Sequence, residues 1–557
     1  MFRKTKDDVV IRIMNFTHDH ILVFVVIAML LISGLSLLYM KTAGSKENAA
    51  KPAAETTSEE NSLTVYKDAK TIYLPMDRIR SLNPLVSIDK DTTSITPLLY
   101  SGLLKLDPSL NVEGDLASSW KIKDGRTVVL KLRKGLKFSN GDSLTASDVS
   151  YTVGQIRKIG AKSPYYVYAS RIKEVRTSGK RKVIVEFRDP SQAALDNLTF
   201  PIVEEGHYST SAKALPPGSG PYVRKSFENG SLKLSPNKAY FGEVPKNKIS
   251  FKLIRERDAV TSMITTDSLT ASVEESPDAS LDASYKHLQC VPVCSSEMEF
   301  IGFNFRNDDL AKRKVRKAIA YAIDTDALIR DNYGEYAVSS DSVYYPGFLG
   351  VKNEGDPYRC NLSKSATLLR ESGYKDKDED DRLENKKGKD LSFRMIVSDN
   401  ERVRVDTAED ICRELEKLGI SVDLSVMNEK SYRKAVSDGS FDLLVGGFSF
   451  DKQFNLRVLF DKGNVLNYSN SAVKKQAAHL ERLIEPEELV TAYSELKAEL
   501  QKDLPYYCIC YKQYAFVSSS TLKAEEAPLF FDRYRGIADW KWQRAYTPDI
   551  ASDTYEK

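Results

Sequence analysis

Histidine is nearly missing from this chain: there are five in 557 residues. His18 and His20 fall near the N-terminus, and His207, His287 and His479 stand isolated from one another. With no His-Glu-x-x-His helix and no Gly-x-Ser-x-Gly elbow, the local signatures of zinc hydrolases and serine hydrolases are absent. Paired carboxylates abound, but none is singled out by spacing. The expectation is a protein that is not an enzyme, with no catalytic residue and no cofactor. Charge of one sign is lacking too. The 81 basic and 78 acidic residues leave a net charge of +3, which removes the electrostatic reason to propose nucleic acid as a partner. Cysteine is sparse at six, and no pair has Cys-x-x-Cys spacing, so no metal site is expected. The pairing of those cysteines is left open between disulfides and buried thiols. Tryptophan numbers only 3, against 29 tyrosines and 22 phenylalanines, and no internal repeat is visible.

What is present begins with a run of twenty uncharged residues, Ile21 to Met40. As a helix it spans roughly 30 Å, enough to cross a bilayer. Arg3, Lys4, Lys6 and Arg12 precede it, and the lysines after it are sparser, which favours an N-terminus in the cytoplasm. A cleaved signal peptide is the rival reading, but Lys41-Thr42-Ala43 makes a poor cleavage site. No cysteine follows the run, so lipoprotein processing is excluded. The expectation is residues 1–20 in the cytoplasm, a transmembrane anchor at 21–40 and a disordered tether at 41–62. A single-pass protein of the cell membrane would then carry an extracytoplasmic domain.

At a length of 557 residues the chain needs two or three lobes. Leading into the stretch "LRKGLKFSNGDSLTASDV", which begins at Leu132, alternating Leu130 and Leu132 fit a half-buried strand, and Asn140-Gly141 is a strong turn dipeptide. Thr145 with Asp148 three residues on resembles a capping box opening a helix from Ala146 toward Ile159. From Leu391 the periods alternate as βαβαβ, with Ala408, Ile411, Cys412, Leu415 and Leu418 on one helical face, and Gly419 closing it. Val315, Ala318, Ile319, Ala322 and Ile323 form another apolar face. The charge-dense segment 375–390 fails as a calcium loop, because Asp381 stands where glycine is needed and Lys387 where the bidentate glutamate belongs; it reads as a solvated hairpin.

Taken in order, these pieces resemble the family 5 extracellular solute-binding proteins, the peptide-binding components of ABC importers. "RSLNPL" is similar to the family's opening segment, with Asn83 replacing an Asp. "LLYSGLLKLDPSLNVEGDLASSWKIKDGRTVVLKLRKGLKFSNGDSLTASDVSYT" follows the family signature almost position by position. "GSGPYVRKSF", "LSPNKAYFG", "IGFNF", "KVRKAIAYAID" and "LLRESGY" match later segments. The resemblance implies a two-lobed α/β fold of the periplasmic-binding-protein type. Lobe I would comprise 63–298 and 513–557, with a small subdomain inserted at about 95–200, and lobe II 299–512. The crossing strands would be the hinge. It also implies a peptide captured between the lobes and passed to permease subunits with cytoplasmic ATPases, by a monomer. Other ligands (nickel chelate, opine, sugar) and a sensing or chaperone-like role are the alternatives.

By the same resemblance, "GGFSFD" aligns with the family's Gly-Trp-x-Ala-Asp. Gly447, Phe448 and Ser449 would then lie along the ligand backbone, with Asp451 on its ammonium group. Phe450 and Lys452 depart from that pattern. Tyr165 matches a cleft-lining tyrosine, with a packed core aromatic as the alternative, and Ile88, Asp89 and Lys90 join the expected ligand-binding set. Cys508 and Cys510, two apart in a strand, are expected on one face. A disulfide to Cys290 or Cys294 would staple the hinge.

Overall fold

The computed structural model describes residues 65–546, apart from 189–192, 212–213, 276–281, 285, 335, 453–455, 481–482 and 484–485. The expected membrane segment and tether lie outside these residues. No helix among the described residues is long and apolar enough to cross a membrane.

The principal elements of the first half are strand β1 (Thr71–Met76), helix α1 (Lys90–Leu99), the hairpin β2 (Ala117–Lys123) and β3 (Thr127–Leu132), and helices α2 (Ala146–Ile159) and α3 (Tyr166–Arg171). There follow the hairpin β4 (Ile172–Ser178) and β5 (Lys182–Phe187), the single turn α4 (Ala193–Asp196), and strands β6 (Tyr222–Glu228), β7 (Ser231–Pro236), β8 (Lys248–Leu253) and β9 (Ala271–Glu274). The second half carries β10 (Gln289–Phe303), α5 (Arg313–Ala322), β11 (Ser392–Ser398), α6 (Arg402–Glu416), β12 (Ser421–Met427), α7 (Glu429–Asp438), β13 (Leu443–Ser449) and β14 (Tyr506–Ser518). Two four-stranded sheets run β1-β8-β7-β6 and β2-β3-β5-β4, and a larger one runs β9-β14-β10-β13-β11-β12.

Local chemistry explains the boundaries. Gly141 takes φ +98° in the turn before α2, a conformation that costs a glycine little. The Thr145 backbone N–H donates to the Asp148 carboxylate at 2.7 Å, satisfying a donor that the helix itself leaves orphaned. Helix α2 then buries Val149, Val153 and Ile156. β11 pairs in parallel with both β12 and β13. Helix α6, which connects the first two, buries Ala408, Ile411, Cys412 and Leu415. The 375–390 segment is a hairpin: Lys375 and Glu384 exchange backbone bonds of 3.0 and 2.9 Å, and the Asp376 carboxylate accepts from the Glu379 N–H.

One core fills the first half, including Ile72, Leu130, Val149, Phe200 and Phe251, and takes Trp540 and Trp542 from the far end of the chain. Two more cores flank the large sheet. One gathers Ile301, Val315, Ile319, Phe393 and Ile411; the other gathers Met298, Phe300, Ile396, Leu444 and Leu496. β10 and β14 thread all of this. Val293 and Phe516 sit in the first-half core, while Phe303 and Tyr507 sit beyond the junction.

Two cysteine expectations are corrected here. All six cysteines are free thiols. Cys508 and Cys510 do not share a face: Cys508 packs with Tyr506 and Tyr511 in one core, and Cys510 with Tyr507 and Ile509 in the other. The cause is a bulge. Cys510 opposes Glu299 while Cys508 opposes the very next residue, Phe300, and one extra residue in a strand inverts every side chain beyond it. Burial pushes the Cys508 and Cys510 thiols up, which makes both poor nucleophiles for exchange.

Candidate ligand-binding site

Strand β13 is paired on both edges at its start and on one edge at its end. β11 meets it only at Leu443 and Leu444, whereas β10 accompanies it to Ser449. The Phe450 N–H donates to the Ser296 carbonyl of β10 at 3.1 Å. Peptide groups alternate sides along a strand, so Phe448 also faces β10, and the N–H and C=O of Gly447 and Ser449 face the other edge. There, among the described residues, no strand pairs with them. Gly447, Ser449 and Asp451 are exposed, and the Phe448 ring is held against Phe450, centroids 4.7 Å apart. The sequence thus leaves a short, ready-made template for an extended chain at the end of an otherwise buried strand.

Beneath this edge lies a charged floor. Glu299, in register with Gly447, is 1% exposed and takes a bidentate pair from Arg404, both bonds 2.7 Å. Burial alone would lower Arg404, but the hydrogen bonds and charge of Glu299 raise it instead. Lys512 of β14 adds contacts to Glu299 at 3.2 Å and Glu297 at 3.3 Å, and pairs with Glu401. Glu297, in register with Ser449, also accepts from the Tyr514 hydroxyl at 2.8 Å.

From the first half, Lys90 at the start of α1 sits 5.8 Å from the Tyr514 ring centroid and pairs with Glu275, which also takes Arg533. Lys90 is thereby connected through Tyr514 and Glu297 to the strand opposite Ser449. Its neighbour Ile88 is 78% exposed. Asp89 is turned to its own loop, accepting from the Arg80 N–H at 2.9 Å. Tyr165 is placed in the first-half core at 9% exposure, and burial raises its hydroxyl. It reaches the site only through Tyr168, whose ring lies 6.2 Å away and carries Lys452 on its face at 5.9 Å.

Sequence reasoning missed Glu297, Glu299, Arg404, Lys512, Tyr514 and Tyr168, which are joined to the site by partners far away along the chain. Only Glu299, the one charge inside the apolar run 298–303, offered a signal. Among the described residues, two groups could bring carboxylates to a metal, Asp142–Glu204–His207 and Asp376–Asp378–Asp380–Glu384. Both are already engaged locally, the first through Asn140 and the second through the Lys377 N–H. A cavity of about 20 Å³ between Asp341, Tyr358, Gln501 and Cys508 lies away from the open edge and has room for about one water.

The sequence profile described as bacterial extracellular solute-binding proteins, family 5 Middle, matches residues 111–464. The oligopeptide-binding protein AppA of Bacillus subtilis is 27% identical over 461 residues, covering 77% of this chain and 83% of that protein. Its crystal structure with a nonapeptide superposes with a TM-score of 0.57 at 22% identity, covering 86% of this chain and all of that one. NikZ of Campylobacter jejuni, solved with Ni(L-His), gives 0.63 at 21% identity, over 85% and 99% of the two chains. These likenesses establish the two-lobed α/β fold of periplasmic binding proteins.

Proposed function

Because the chain belongs to the bacterial extracellular solute-binding proteins of family 5, we propose that it captures peptides between its lobes and delivers them to the permease subunits of an ABC importer. The observation that carries this reading is the unpaired edge of β13 at Gly447 and Ser449. An extended peptide can satisfy its own N–H and C=O groups there whatever its side chains are. Asp451, exposed two residues past that edge, receives the ligand's α-ammonium group. Phe448 and Lys90 line the approach. Tyr165 acts from behind Tyr168, and Ile88 and Asp89 flank Lys90.

The lobes in this reading are 63–298 with 513–557, and 299–512, the first carrying the subdomain at about 95–200. β10 and β14, shared by the cores of both, serve as the hinge. Residues 21–40 anchor a monomer to the membrane, and 41–62 tether the binding domain outside. Family membership argues for binding and not for catalysis.

Calorimetry with tetraalanine and its N-acetylated twin tests the proposal. The free peptide binds more tightly. Asp451→Ala weakens it by about tenfold to a hundredfold, as expected for a charge-assisted hydrogen bond, and leaves the acetylated twin unchanged. Equal binding of both peptides by the unmodified protein removes amine capture and points to a non-peptide ligand, such as a metal chelate.

A further inference from the structure

A short hairpin, Leu104–Leu106 paired with Val112–Gly114, belongs to the first half, but its tip does not stay there. The Leu110 N–H donates to the Asp107 carbonyl at 2.9 Å, and the Asp107 N–H to the Asn111 carbonyl at 2.8 Å. The Asp107 carboxylate accepts from the N–H groups of Ser109 and Asn111, each at 2.8 Å. A tip closed this way ends on a left-handed residue, a place that glycine fills at little cost and asparagine tolerates. Here that residue is Leu110, at φ +68°. Leu104 lies in the first-half core, whereas Leu110, 4% exposed, lies in the second-half core with Phe348, Val351 and Leu466. Beside it, the Leu349 N–H donates to the Ser109 carbonyl at 2.7 Å. Leu349 is left-handed too, at φ +47°. Two leucines in a conformation that leucine avoids, one from each half, therefore sit at a single backbone bond. The hairpin's own bonds ask for glycine or asparagine at position 110; what favours leucine is its burial in the other half.

We propose that this tip is a latch: Leu110, seated against segment 343–351, holds the two halves closed over bound ligand, and its withdrawal opens them. The proposal rests on the lobe and hinge reading given above. In that reading the chain crosses between the lobes on β10 and β14, so contacts elsewhere between them have to part when the lobes open. The seat is built into the second half. The Tyr511 hydroxyl of β14 donates to the Val343 carbonyl at 2.7 Å, and the Phe348 ring meets Tyr493, on the helix Pro486–Asp503, edge-on at 5.0 Å. A second contact of the same kind lies beside it. Phe530 reaches the Tyr345 ring at 5.2 Å, while Tyr534, four residues on, lies in the first-half core against Phe251. Burying one leucine and one backbone bond favours closure by a modest amount. A modest bias suits a protein that must also release what it holds, because ligand binding can then shift the balance in either direction.

Single-molecule energy transfer on the full chain in detergent reads the separation of the halves without any ligand. The dyes are carried on p-acetylphenylalanine in place of Lys121 and Lys430, both exposed, one in each half. Leu110→Asn keeps the left-handed turn and removes the apolar side chain. It should shift the empty protein toward lower transfer and speed the release of tetraalanine by about tenfold, the worth of part of a leucine's burial. Leu110→Gly, which relieves the turn altogether, should open the halves in the same way. Leu110→Met, which refills the seat, should keep transfer near that of the unmodified protein and release within about twofold. The inference is overturned if Leu110→Asn and Leu110→Gly lower the melting temperature but leave transfer unchanged, for Leu110 is then packing alone. Loss of the folded state in both variants overturns it for the same reason. It is overturned equally if transfer falls while tetraalanine leaves at the unmodified rate. If the unmodified protein takes up no tetraalanine, the peptide reading falls, and transfer in the empty protein alone decides the latch.

Discussion

Gly447 has an exposed backbone and no room for a side chain. A Cβ there would run into the Arg404 guanidinium and approach Glu299 Oε1 to 2.9 Å, and neither group can yield. Arg404 is fixed by its two bonds to Glu299, and Glu299 is fixed again by Lys512. The glycine therefore lets a strand lie flat over a buried ion pair while offering its peptide groups to the cleft. Gly447→Ala must displace that pair or bend the strand, at about 1–3 kcal/mol by analogy with overpacking elsewhere. Chemical denaturation should report that loss of stability together with weaker peptide binding. Arg404→Met should cost more, about 3–5 kcal/mol, because Glu299 would be left buried with only Lys512 beside it; a neutral result would show that water reaches Glu299. None of this was legible at the residue level. A glycine pair in a strand is visible in sequence, but its reason lies in Glu299 and Arg404, which are 105 residues apart.

Elements were far more legible than contacts. Periodicity and capping foretold α2 from Ala146 to Ile159 and the βαβαβ order of β11 to β13, because both depend on neighbours within a turn or a pleat. Asn83, where the family has an aspartate, is fully buried, and its amide donates to the Ser209 and Ser211 carbonyls, two bonds that a carboxylate could not make. The bulge at Ile509 escaped, since its cause is a register decided across strands and not along one. The same pairing logic makes an element-level prediction at Ser449. Its N–H faces the open edge, so Ser449→Pro removes a donor the ligand would use without breaking the ladder to β10. Peptide affinity should fall by about two- to tenfold, the worth of one hydrogen bond, with little change in melting temperature. Phe448→Pro, one residue back, removes a ladder bond to β10 and should destabilise the fold. If the two substitutions behave alike, the assignment of edges is wrong.

At the scale of the molecule, the folded part is closed by its own ends. Val65–Ala69 pairs antiparallel with Trp542–Tyr546, in register from Val65↔Tyr546 to Ala69↔Trp542. Trp542 is in turn buried to 1% in the first-half core, where Tyr73 meets its ring edge-on at 5.9 Å. Compact packing divides the chain between Leu63 and Thr64. Residues 64–557 therefore keep every described contact, whereas residues 71–557 lose the strand that covers Trp542–Tyr546. The shorter chain must leave that strand with an unpaired edge and loosen an aromatic contact worth about 0.5–1.5 kcal/mol. Chain 64–557 should be recovered without detergent and bind tetraalanine with the affinity of the full chain. Chain 71–557 should melt at a lower temperature and aggregate more readily. Fractionation completes the test: the full chain should sediment with membranes until detergent is added, because the uncharged run 21–40 lies in the part removed. Full-length protein found free of membranes, with its N-terminus intact, would rule out the anchor and leave the binding domain's fold unaffected.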